Sequence, residues 1–101
     1  MSYKHNNLMA MRQNYWNDTH STQVNLEKNE LQNMLNEYGI FEQPSLDDVK
    51  YFFFSLPSII IVKGYALGFA NSAVKEMISQ FIEQNKSLLM QRTELKISYR
   101  M

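Results

Sequence analysis

The chain has no cysteine among its 101 residues. That excludes disulfides, thiolate zinc sites and cysteine nucleophiles together, and it fits a reducing compartment such as the cytoplasm. Charge of one sign is also missing. Lys+Arg and Asp+Glu are both 10, so the formal net charge is zero. A dedicated nucleic-acid binder usually carries a basic excess that displaces phosphate counterions. Any such role here would need a local patch. No long hydrophobic run is present either. The longest, from Ser58 to Val62, is far short of the roughly 20 residues that span a bilayer. The N-terminal stretch MSYKHNNLMAMRQNYWND has no apolar h-region and no small-residue cleavage site, so no signal peptide and no membrane partner are expected. Glycine and proline are scarce, at 3 and 2 residues, which makes each of them informative as punctuation.

Catalytic and ligand signatures are missing as well. His5 and His20 do not stand near a carboxylate at metal-ligand spacing, and both read as solvated. Asp47-Asp48 falls in the first turn of a helix, where an acidic pair complements the helix dipole. Gly64 and Gly68 form a G-x-x-x-G, but without a preceding strand, a Lys or a Ser/Thr they make no phosphate loop. They read instead as small residues permitting close helix approach. No set of nucleophile, base and oxyanion donors can be assembled. No enzymatic activity, catalytic residue, cofactor or metal is expected.

What is present is helical periodicity. Asn7 stands where it would cap a short helix carrying Leu8, Met11, Tyr15 and Trp16 at i, i+3, i+7, i+8 spacing. Residues 1–20 read either as a short helix folded on to the domain or as a mobile arm that docks into a partner groove. Residues 21–101 read as one helical domain, a size that suits a single core. From Thr22 to Tyr38, the residues Val24, Leu31, Met34, Leu35 and Tyr38 share a face. Glu27, Lys28, Glu30, Gln32 and Asn36 lie mostly off it, and Gly39 stands where a left-handed residue would end the helix. Gln43-Pro44 breaks the chain. Ser45 to Asp48 is a capping-box-like start with a shorter acid than usual, and the helix runs to about Ser55. Leu46, Val49, Phe53 and Leu56 form one side of it, while Tyr51, Phe52 and Phe54 fall on others. A helix apolar nearly all round is normally buried on several sides. In so short a chain that surplus points to a partner subunit.

Ile59 to Val62 has the β-branched character of a strand. The absence of a turn before Leu67, a capping Ser58 and the terminal Gly68 favour a helix. The last helix starts at Asn71 or Ser72 and runs at least to Met90, with Val74, Met77, Ile78, Phe81, Ile82, Leu88 and Leu89 as its stripe. The tail changes period. Leu95, Ile97, Tyr99 and Met101 alternate with polar residues, which is strand spacing or a frayed helix end.

The expected fold is therefore all-α. It is a small bundle of four to five helices with a helix-turn-helix-like pair near residues 58–90, and with room for a short C-terminal strand. The leading functional expectation is a non-enzymatic regulatory or adaptor protein that binds another protein and forms a homodimer. Met11, Tyr15, Trp16, Tyr51, Phe52 and Phe54 are its candidate contacts. The alternative is a helix-turn-helix DNA-binding regulator. On that template Gly64 is the small residue, Gly68 the turn glycine, Phe69 the following apolar residue, and Val74 and Met77 face inward. Asn71, Ser72 and Lys75 would then face DNA. One cation in that stretch is few for base reading and phosphate contact.

Overall fold

The computed structural model describes the backbone of residues 2–100 and the side chains of residues 7–91. Five helices follow one another: α1 (Ser2–Asn17), α2 (Thr22–Glu37), α3 (Leu46–Ser55), α4 (Ser58–Leu67) and α5 (Ser72–Arg100). The fold is all-α, and no strand occurs among the described residues. The alternation in the tail falls inside the α5 span, and its side chains lie outside those described.

Local signals explain where the helices begin and end. Ser21 caps α2 by accepting from the Val24 amide at 3.2 Å. Tyr38 then turns out of the helix, and Gly39 takes φ 73°, a left-handed value nearly free of cost only for glycine. Ser45 and Asp48 form a reciprocal capping box. Ser45 Oγ accepts from the Asp48 amide at 3.2 Å, and Asp48 Oδ2 accepts from the Ser45 amide at 2.9 Å. Pro57 stands at the start of α4, its carbonyl accepting from the amides of Ile60 and Ile61. Ser58 therefore opens the first turn and is not the cap. α3 and α4 meet at 110°. Asn71 caps α5, its Oδ1 accepting from the Ala73 amide at 2.9 Å. At Asn85 the backbone leaves helical geometry (φ −118°, ψ 15°). Its side-chain amide donates to the Phe81 carbonyl at 2.8 Å, which marks the kink within α5.

The core gathers one face from each helix. Leu31, Leu35, Val49, Phe53, Leu56, Ile61, Phe69, Val74, Ile78 and Ile82 are essentially inaccessible to solvent. Aromatic rings make its centre. Tyr15 stacks on Phe53 at 4.9 Å between centroids and meets Phe69 edge-on at 5.1 Å, and Phe53 meets Phe69 at 5.4 Å. Such geometries add to simple area burial. The α4–α5 turn folds back against α4 because Gly64 has no side chain. A Cβ there would run into the Phe69 ring.

Candidate functional site

Four charged side chains are buried: Asp48 in its capping box, and Arg12, Glu27 and Lys28, which interrupt the apolar stripes of α1 and α2. Glu27, 3% exposed, sits beneath α1 and the α4–α5 turn. Its Oε1 accepts from the Tyr15 hydroxyl at 2.6 Å. Its Oε2 accepts from Gln23 Nε2 at 2.8 Å and from the Phe69 amide at 3.0 Å. A buried carboxylate is tolerated only when donors replace its water, and here one group fastens three elements. Burial first, then the hydrogen bond and the charge of Glu27, pushes the Tyr15 phenol well above its ordinary pKa. The pair is closed to solvent and serves to fasten helices.

The two buried cations lie at helix C-termini. Arg12 on α1 donates from Nη2 to the carbonyl of Leu56, the last residue of the α3 turn, at 2.9 Å. Lys28 on α2 donates from Nζ to the carbonyl of Trp16, in the last turn of α1, at 2.7 Å. Both positions satisfy carbonyls that a helix end leaves unpaired and place positive charge at the negative end of the dipole. The fit at Arg12 is incomplete, since its Nε has no hydrogen-bond partner. Lys28 also lies over the Trp16 ring, 4.6 Å from its centroid. Burial lowers its pKa, partly offset by the charge of Asp18.

The expected contact residues are therefore divided. Tyr15 and Phe52 lie in the core and offer no surface to a partner in this conformation. α3 is covered on two adjacent sides, and Phe52 reaches Phe81 of α5 at 6.1 Å. Met11, Trp16 and Phe54 are half-buried. The Met11 carbonyl accepts from the Tyr65 hydroxyl, and Trp16 and Phe54 both rest on Phe53. Tyr51 is exposed. The described part of α1 is thus tied to the domain through Arg12, Tyr15 and Trp16. Of the residues on the DNA-facing template, Asn71 uses its side chain as the α5 cap, and Lys75 pairs with Glu30 of α2 at 2.9 Å. Ser72 is exposed.

The side of the molecule that the sequence left undistinguished is α4. Its inner face, Ile60, Ile61 and Gly64, is buried, as expected of an apolar helix. Its outer face is apolar too. Ile59 is 62% exposed, Leu67 53% and Val62 49%. Ala66 is exposed, and Lys63 is the one charge along the helix. The even spread of apolar residues around residues 58–67 was the available signal. Among the described residues no group of three or more His, Cys, Asp or Glu side chains is close enough to hold a metal ion. No family model, no curated protein and no solved structure matches the chain.

Proposed function

We propose that the chain is a small non-enzymatic regulatory or adaptor protein that works by burying an apolar helical face against another protein, and that it does so as a homodimer. The observation that carries this reading is the outer face of α4, where Ile59, Val62 and Leu67 stand about half exposed or more on a helix whose one charge is Lys63. A helix of that composition is normally covered all round. Contiguous exposed apolar surface on a small protein marks an interaction site more often than not.

A bilayer is the less favoured cover. No single helix among the described residues is long and apolar enough to cross a membrane. α3 and α4 have suitable composition only as a pair bent by 110°, and each already packs one side in the core. The cytoplasm is the compartment this reading assumes. The DNA-binding alternative has less support, because the side chains of Asn71 and Lys75 are engaged within the protein and the chain carries no net positive charge. The test is quantitative duplex-DNA titration beside a measurement of solution mass. The adaptor reading expects an assembly larger than one chain and only weak, sequence-independent DNA association at physiological salt. Tight, sequence-selective duplex binding would overturn it.

A further inference from the structure

A cleft of about 320 Å³ opens between the α1–α2 loop, α2 and the start of α3, lined by Trp16, Thr19, Asn25, Lys28, Asn29, Leu46 and Asp47. This is the lower end of the range occupied by small-ligand sites. Its walls are chemically divided. Trp16 and Leu46 supply apolar surface, and Leu46 is among the most exposed large side chains of the molecule. Asn25, Asn29 and Thr19 supply neutral polar groups. Asp47 supplies a carboxylate in the first turn of α3.

Lys28 is the informative residue. Lys28 is drawn into the protein, only 7% exposed, yet among the described residues its ammonium has no carboxylate within ion-pair distance, Asp18 acting on it from further away. The ion pair found among the described residues joins Lys75 to Glu30 instead. An ammonium carries three N–H donors, and among the described residues Lys28 makes one hydrogen bond, to the Trp16 carbonyl, with the Trp16 ring beneath it. A buried cation with donors to spare, lining a cleft, is a position where an anion would recover the cost of desolvation.

We infer that this cleft binds a small organic carboxylate with an apolar body, the carboxylate on Lys28 and the body against Trp16 and Leu46. Asp47 favours a ligand that also carries an ammonium group, so a free aliphatic amino acid is the type case. The site is separate from the α4 face and stands or falls independently of the adaptor reading.

Trp16 is the chain's sole tryptophan, so its fluorescence reports the cleft directly. The intact protein is titrated into the millimolar range with leucine, with its deaminated analogue 4-methylpentanoate and with its decarboxylated analogue 3-methylbutylamine. The expected result is a saturable change with leucine, weaker binding of the carboxylate and none of the amine. Asp47→Asn, at the surface, should bring leucine down to the affinity of 4-methylpentanoate. Lys28→Met should weaken both by about tenfold or more, the worth of a charge-assisted hydrogen bond. Saturable binding of the amine alone, leucine binding indifferent to Asp47→Asn, or no saturable change with any of the three would each overturn the assignment.

Discussion

The Tyr15 hydroxyl donates to the Glu27 carboxylate at 2.6 Å across 12 residues of sequence, joining α1 to α2 inside the aromatic centre of the core. The same carboxylate accepts from the Phe69 amide at the α4–α5 turn. One side chain therefore sets the relative placement of the first two helices and of the turn that presents α4.

Tyr15→Phe keeps the ring stacked on Phe53 but leaves Glu27 Oε1 without its donor. A buried acceptor so orphaned costs about 1–3 kcal/mol. Urea denaturation should show a loss in that range with little change in the slope of the transition. A stability equal to that of the parent protein would mean that water replaces the hydroxyl and that the contact does not fasten α1.

The same pair sets an alkaline limit. The folded Tyr15 phenol titrates above the ordinary value of 10.0, so the neutral form is favoured by folding. Its contribution is complete below about pH 10, where the unfolded phenol is also neutral, and it is lost as the pH rises from there towards the folded value. Melting temperature should fall with pH above about 10. Tyr65, whose phenol burial also raises, adds to the effect. Tyr15→Phe should flatten the decline, and an unchanged alkaline slope in that variant would remove Tyr15 as its cause.

Two glycines make different demands. Gly68 has φ 93°, so Gly68→Val should cost on the order of 1–2 kcal/mol or more for backbone conformation alone. Gly64 is ordinary helix in backbone, but a methyl group there meets the Phe69 ring. Gly64→Ala should cost about 1–3 kcal/mol as overpacking. The double variant Gly64→Ala/Phe69→Leu tests this mechanism. Thermal denaturation should show Gly64→Ala costing less on the Phe69→Leu background than alone, and equal costs would refute the steric account.

Lys75 pairs with Glu30 where the two side chains remain 38% and 40% exposed. Screening keeps such a pair near 0–1 kcal/mol. Lys75→Ala should therefore leave the melting temperature almost unmoved. Any DNA association of the protein should keep its salt dependence in that variant, whereas a phosphate contact would subtract about one unit of salt slope. A drop of that size would revive the DNA-binding reading.

Much of the fold was legible because its signals are local. The stripe from Val24 to Tyr38, the left-handed Gly39, the Ser45–Asp48 capping box and the Asn71 start each involve residues within a few positions of one another. The helical choice for Ile59 to Val62 rested on the absence of a turn before Leu67, on Ser58 and on Gly68, against the strand preference of its β-branched residues, and the segment is helix. What stayed hidden depends on distant partners. Glu27 and Lys28 read as off-face polar residues by type, yet they stand three and four positions after Val24, within the stripe of α2, and both are buried. The reason is that Glu27 meets an amide 42 residues away and Lys28 the end of a neighbouring helix. Arg12 is buried for a carbonyl 44 residues away. The aromatic run Tyr51 to Phe54 suggested surplus surface, but only the tertiary arrangement tells that Phe52 faces Phe81 while Tyr51 faces out. The outer side of α4 could be read as apolar, but not as exposed.

The central claim is that the outer face of α4 is an interface, first of all with a second copy of the chain. Light scattering across the micromolar range, on the parent protein and on Ile59→Glu/Val62→Glu, tests it most directly. The account predicts a parent mass about twice the 12.0 kDa of one chain and a folded variant at the mass of one chain, with an unchanged helical circular dichroism spectrum. A parent protein that stays monomeric at every concentration, or a variant that remains dimeric, would contradict it.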